Sequence, residues 1–356
     1  MDRNQILHAI SKIKDPLSGR GLVEQHMVKS LEVAPPDVNI VLQVRDLNMD
    51  KKNELNFAVI SAVQELYPDA NVNLHIVAAP NDAPKYPHLK NIIAVASGKG
   101  GVGKSTVAVN LALALKKAGY KVGIMDADVY GPSVPIMLGL QGKRPMVQDI
   151  HGRPMMIPLE AHGIPVMSLG FIIEPQQAVV LRGPKLSTIV QQFFNEVVWP
   201  ELDYLIIDLP PGTGDVQLTL VQTAPVTGVV MVTTPQDVAV ADAIKGMNMF
   251  RLDSVNVPIL GVIENMSWFT PKELPGHKYF IFGQGGGEKL AQEGQTELLG
   301  QVPLILGIRE GGDTGRPAAL DDTLAVPFDQ LALNLVRAVQ KRHREKPPTD
   351  VVHINR

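Results

Sequence analysis

Four glycines and a lysine–serine pair constrain this chain more than any other stretch. Gly98-Lys99-Gly100-Gly101-Val102-Gly103-Lys104-Ser105 fit the pattern G-x-x-x-x-G-K-[ST], a loop whose converging backbone N–H groups cradle nucleotide phosphates. Such a loop works only when a strand delivers it and a helix leaves it. Ile92 to Ala96 is a short apolar run suited to a buried strand, and Ser105 to Ala118 reads as a helix stopped by Gly119. The helix N-terminus then aims its free N–H groups and its dipole at an anion. Lys104 is placed to reach β- and γ-phosphates, and the Ser105 hydroxyl to join a Mg²⁺ shell.

The glycines admit a rival reading. Gly98, Gly100 and Gly103 also satisfy G-x-G-x-x-G, with Asp126 at about the interval of a ribose-binding acid. A dinucleotide fold has no use for Lys104-Ser105, whereas a phosphate loop requires them. A second element agrees: Tyr204 to Asp208 is an apolar strand ending in an acid, able to hold Mg²⁺ through water.

The chain has 356 residues, enough for two or three domains, and 45% of them are hydrophobic against 19% charged. A formal net charge of −3 gives no general attraction to nucleic acid or to an anionic membrane. No apolar run approaches a membrane span and the first residues lack a signal peptide's apolar core, so a cytoplasmic protein is expected. There is no cysteine, which excludes disulfides, thiolate metal sites and cysteine nucleophiles.

Two domains are expected. Residues 1–78 read as a small α+β unit. Ile6, Ile10 and Ile13, with Leu7 and Leu17, form a helical face ended by Asp15-Pro16. Met27–Val33, Val38–Val44 and Asn71–Val77 are strand-like, and a second helix stops at Tyr67-Pro68. Residues 79–90, with Pro80, Pro84 and Pro87, read as a linker. From 91 to 345 strands and helices alternate, which implies a mostly parallel sheet with helices on both faces. Its strands are Ile92–Ala96, Lys121–Met125, Tyr204–Ile207, Gly228–Thr233 and Ile259–Ile263. Its helices include Lys185–Val198, striped by Leu186, Ile189, Val190, Phe193 and Val197, and Phe328–His343. Pro145 to Gly170 reads as inserted strands and turns, and 346–356 as a polar tail.

Several motifs carry chemistry. Asp126-Ala127-Asp128 sets two acids at the carboxyl edge of the second sheet strand, beside the phosphate loop. Asp208-Leu209-Pro210-Pro211-Gly212 continues into a segment whose Gly212 N–H can meet a γ-phosphate and report hydrolysis. In Glu264-Asn265-Met266-Ser267, the Asn265 amide can donate to and accept from a base edge.

Lys99 makes the loop a deviant Walker A and resembles that of the dimerising ATPases that include MinD, ParA and the nitrogenase iron protein. Gly98 to Thr106, Asp126 to Ser133, Asp208 to Asp215, Glu264 to Ser267, Ile281-Phe282-Gly283 and Ile308 to Gly315 narrow the resemblance. Over roughly residues 90–345 the chain is similar to the Mrp/ApbC family of iron–sulfur cluster carriers. The first unit resembles the iron–sulfur-assembly domain often fused ahead of it. The resemblance implies a P-loop fold, ATP and Mg²⁺, a homodimer, and work with iron–sulfur assembly proteins and apoprotein clients, without nucleic acid or membrane. It implies roles as well. Lys99 would cross the dimer interface to the partner's nucleotide, one of Asp126 and Asp128 (here Asp128) would orient the attacking water and the other help hold hydrated Mg²⁺, and Asn265 would read adenine, flanked by Val302-Pro303-Leu304 and Arg309 to Asp313.

The chain departs from the family at one place. Members usually carry a Cys-x-x-Cys pair between the Asn-Met-Ser and Ile-Phe-Gly motifs, whereas Ser267 to Phe280 here holds none. Glu273 and His277 are oxygen and nitrogen donors in that segment, a composition that more often marks solvated surface. The competing expectation is a nucleotide-switched positioning ATPase like MinD or ParA, with Lys341, Arg342, Arg344 and Lys346 as its basic surface. An electron-donating reductase would need a redox centre that this composition does not supply.

Overall fold

In the computed structural model, the residues described are 1–15, 20–25, 27–44, 49–78, 85–128, 131–150, 152–173, 183–271, 273–349 and 351–352. Pro16, Leu17, most of the expected linker (79–84), Val129-Tyr130 and Lys272 lie outside them, as does the side chain of Leu186. The chain forms two compact units, Met1–Lys85 and Tyr86–Arg356.

In the first unit, α1 (Arg3–Ser11) and α2 (Met49–Leu66) accompany a three-stranded sheet of β1 (Val28–Ala34), β2 (Asp37–Val44) and β3 (Asn71–Ala78) in the order β1-β2-β3. Alternation along β2 buries Val38, Ile40, Leu42 and Val44, which pack with Ile6, Ile10, Leu55, Val59 and Val63 of the helices. The first helix is shorter than the Ile6–Ile10–Ile13 spacing predicts. Its backbone is diverted: Leu22 N donates to Ile13 O at 3.0 Å, and Asp15 N to Arg20 O at 2.8 Å. Ile13 still packs on the core, from the bend before the Lys14–Gly21 bridge rather than from a helix.

The second unit is built on an eight-stranded sheet. Its strands are β4 (Ile92–Ala96), β5 (Val122–Asp126), β8 (Leu159–Ala161), β9 (Ile164–Ser168), β10 (Tyr204–Asp208), β11 (Gly228–Thr233), β12 (Ile259–Phe269) and β13 (Leu298–Leu304). The order is β13-β12-β11-β4-β10-β5-β9-β8, parallel except for the edge pair β9–β8. Between β5 and β9 the chain makes α4 (Val134–Met137) and a two-stranded ribbon of β6 (Met146–Ile150) and β7 (Arg153–Ile157).

Successive strand residues feed two cores. Ile93 and Val95 join one with α3 (Lys104–Lys117) and α10 (Val326–Glu345), while Ile92, Ala94 and Ala96 join the other. That second core holds α5 (Gly183–Asn195), α6 (Asp215–Thr223), α7 (Asp237–Arg251) and α8 (Gly286–Glu293). The mixed α/β architecture with helices on both faces is the one expected from the alternating pattern.

Four local differences have physical causes. Helix α5 stops at Asn195 because Met156 N takes the Glu196 carbonyl and Val198 N donates back to Met156 O, so Val197 sits in a bridge to β7. Strand β12 runs on to Phe269 instead of ending at Ile263, since Asn265 and Phe269 pair with Val302 and Leu304 of β13. Met266 takes φ +56° at the irregularity between them. Tyr86 and Leu89, expected in the linker, are buried in the larger unit. The tail after α10 is held as well: Arg342 donates to Pro347 O and Thr349 Oγ1, both at 2.6 Å, and Val352 N donates to Val221 O at 2.9 Å. Among the described residues no helix is long and apolar enough to cross a membrane.

Candidate nucleotide-binding site

Parallel pairing brings the expected acids to one level. Asp208 at the end of β10 lies opposite Asp126 of β5 and Val95 of β4, so both carboxylates emerge at the sheet's carboxyl edge beside the phosphate loop. The loop itself needs its glycines. Gly101 and Gly103 adopt φ +85° and +80°, which side-chain-bearing residues rarely take. A β-carbon on Gly103 would also strike the Asn265 amide, and one on Gly98 would strike the α7 backbone at Asp242.

Lys104 opens α3 and is buried, with its ammonium 2.6 Å from Asp208 Oδ1, 3.5 Å from Asp128 Oδ2 and 3.3 Å from Ser105 Oγ. A cavity of about 240 Å³ lies over it. Lys99, Gly100, Gly101, Gly103, Lys104, Ser105, Thr106 and Asp128 line it, together with Ser97, Ser133, Met137 and Pro211. Lys99 is exposed, and among the described residues its side chain makes no ion pair.

Asp126, Asn265, Gly212 and Arg309 do not line this cavity. Asp126 is fully buried: its Oδ1 accepts Asp128 N at 3.0 Å and its Oδ2 accepts Ser168 Oγ at 2.8 Å. It thus orients Asp128 and does not face the space where phosphates fit. Burial, and then the charge of Asp208, holds its carboxyl well above the usual carboxylate range. Burial also raises Asp208, and the charge and hydrogen bond of Lys104 oppose that shift. Asn265 Nδ2 donates to Val102 O at 2.9 Å, tying β12 to the phosphate loop. Gly212, at φ +90°, donates its N–H to Ser97 O at 2.8 Å. Arg309 pairs with Asp313 at 2.9 Å and with Glu310 at 3.2 Å on α9 (Leu306–Asp313).

Sequence reading did not single out Ser97, Ser133, Met137 and Pro211 as cavity residues, nor Ser168 as the partner of the Asp126 carboxylate and Gln217 as that of the Pro210 and Gly212 carbonyls. Only Gln217 leaves a trace in the sequence, as an amide among the apolar residues of α6.

The site suits a hydrated Mg²⁺. Asp208 Oδ2 is buried and has no hydrogen-bond partner, and the Ser105 hydroxyl stands in the same group of side chains. An iron–sulfur cluster finds no such donors. Glu273 and His277 are exposed, and no group of three or more metal-binding side chains occurs among the described residues. The segment is closed instead by peptide groups, Phe269 and Tyr279 exchanging two backbone hydrogen bonds of 2.8 Å, with Lys278 Nζ 3.9 Å from the centre of the Trp268 ring.

The state of Asp126 has a measurable consequence. A carboxyl raised in the folded chain favours folding below its unfolded pKa, and that contribution is lost as pH rises through the folded value. Asp126→Asn keeps an acceptor for Asp128 N and removes the charge. Its melting temperature is expected to exceed the parent's by a margin that grows as pH rises from about 4 towards 8; an advantage that shrinks with rising pH would contradict the assignment.

Comparison with known proteins gives concordant matches. Residues 88–339 match the family described as NUBPL iron-transfer P-loop NTPase, and residues 3–74 that described as iron-sulfur cluster assembly protein. An iron-sulfur cluster carrier protein of a Synechocystis species is 45% identical over 318 residues, covering 88% of this chain and 90% of its own length. One from Haemophilus influenzae is 43% identical, covering 93% of this chain and 90% of its own. Among solved structures, a nucleotide-binding protein of Archaeoglobus fulgidus in complex with ADP superposes with a TM-score of 0.57 at 36% identity, over 67% of this chain and 90% of that one. The cell division ATPase MinD of Pyrococcus furiosus gives 0.52 at 21% identity, over 70% of this chain and 99% of that one, a likeness of fold.

Proposed function

This chain belongs to the family of NUBPL iron-transfer P-loop NTPases, and from that membership we propose that it binds ATP with Mg²⁺, hydrolyses it as a homodimer, and serves the assembly of iron–sulfur clusters or their transfer to apoproteins. The observation that carries the reading is the Lys104 ammonium, shared between Asp208 and Asp128 beneath a cavity walled by the phosphate loop.

The reaction follows from those groups. Phosphate oxygens draw the Lys104 ammonium from Asp208 onto the β- and γ-phosphates, and N–H groups of Gly100 to Ser105 complete the cradle. Ser105, and Asp208 through water, hold Mg²⁺, which neutralises phosphate charge when bound. Asp128 orients the attacking water, its backbone fixed by Asp126. Lys99 of a second copy supplies positive charge to the transferring phosphoryl group, consistent with its exposure at the cavity rim. Asn265 recognises the base with the amide atoms left over from its bond to Val102.

The cluster is cargo, and its ligands come from partner proteins: this chain has no cysteine. The positioning alternative draws less support: Arg344 and Lys346 are exposed, but the other two basic residues named for that surface are engaged. Lys341 pairs with Glu297 at 2.6 Å and Arg342 is buried under the tail.

Anaerobic reconstitution with iron and sulfide tests the division of labour. The chain alone is expected to retain well under one iron per polypeptide while binding ATP. With a cluster-loaded donor and an apoprotein acceptor, ATP is expected to accelerate transfer. A stoichiometric cluster on the chain alone would overturn the partner-ligand reading. Normal maturation of iron–sulfur enzymes in a deletion strain would overturn the assigned process.

A further inference from the structure

The segment that follows Asp208 is short of donors. Pro210 and Pro211 have no N–H, so Gly212 supplies the first backbone donor after Leu209. That donor is already committed, at 2.8 Å, to the carbonyl of Ser97 just ahead of the phosphate loop. Two carbonyls of the segment, those of Pro210 and Gly212, are committed too, and to a single side chain. Gln217 Nε2 donates to Pro210 O at 2.8 Å and to Gly212 O at 3.1 Å. Gln217 is fully buried in the first turn of α6, between Val216 and Leu220 of the core. Its other amide atom does nothing: Oε1 is buried with no hydrogen-bond partner, and a β-carbon on Gly214 would lie 3.6 Å from it.

We infer that Gln217 is a positioning residue that clips Gly212 in a resting arrangement, which a terminal phosphate must undo before Gly212 can donate to it. The inference rests on the ATPase reading above. Turning the Gly212 N–H toward a γ-phosphate gives up the Ser97 carbonyl and swings the Gly212 carbonyl off Gln217 Nε2. The idle Oε1 is then the acceptor available to a backbone N–H of the moved segment. One amide, using its donor in one state and its acceptor in the other, makes the segment two-state instead of loose. ADP lacks the terminal phosphate and leaves the clip in place.

Each neutral hydrogen bond shifts such an equilibrium by roughly fivefold. Gln217→Met fills the same space without a donor. In the full-length variant free of nucleotide, hydrogen exchange at the Gly212 amide is expected to be about fivefold or more faster than in the parent. Affinity for ADP is expected to change less than about twofold, whereas preference for the analogue AMP-PNP over ADP rises by about fivefold or more. Gln217→Leu, which also lacks the donor and cannot regain one by protonation, is expected to act in the same direction, whereas a purely space-filling role predicts parental behaviour from both.

Unchanged exchange at Gly212 in both variants would overturn the clip. Where a variant fails to fold, the parent decides. Exchange in the 209–217 peptide that responds to AMP-PNP but not to ADP supports the clip, and an identical response to both overturns it. If the parent binds neither nucleotide, the ATPase reading falls, and the nucleotide-free exchange comparison still decides the clip.

Discussion

Lys104→Ala is expected to raise the Kd for ATP at least about 100-fold, since a charge-assisted contact to phosphate contributes about 3 kcal/mol. Isothermal titration with Mg·ATP checks the figure. A second effect follows from the 2.6 Å pair with Asp208: breaking a buried pair from one side costs roughly 3–5 kcal/mol, reduced here as the stranded carboxyl takes up a proton. The variant therefore melts earlier than the parent even without nucleotide. Adding Asp208→Asn removes the stranded charge and is expected to restore most of the stability and none of the binding. A Lys104→Ala chain that melts like the parent would show that the pair contributes nothing in the resting protein.

Lys99→Ala is expected to separate binding from turnover. The side chain is exposed at the rim of the cavity and has no carboxylate partner among the described residues, so its loss leaves the resting site as it is. ATP affinity of the monomer is expected to stay within about twofold, while hydrolysis falls by roughly 10³-fold, the scale of a charge supplied in trans. ATP-dependent dimerisation, followed by light scattering, is expected to disappear with it. Equal loss of binding in the Lys99 and Lys104 variants would sink the cross-dimer role.

The sequence displayed the scaffold of this site more fully than its wiring. Gly101 and Gly103 announce left-handed backbone, and the apolar runs before Ser97 and up to Asp208 announce buried strands. Such signals are local, and local rules read them. The wiring is not local. Lys104 and Asp208 are 104 residues apart, and Asn265 reaches Val102 across 163. Asp126 shows the difference clearly. Its position at a strand end marks it as a candidate for the cavity, but whether the carboxyl faces ligand or core depends on Ser168, which β9 brings alongside. Periodicity tells which face a residue takes, not what waits there. The same applies to Val197, whose apolar spacing fits α5 until the β7 backbone claims its neighbours.

Phe269 and Tyr279 close their segment with peptide hydrogen bonds, where family members usually place a metal-ligating pair. A fold that depends on a bound metal gains stability from the free metal concentration and loses it on starvation. This loop draws nothing from that linkage. Its shape, and whatever it presents to other proteins, is therefore expected to be the same with and without iron.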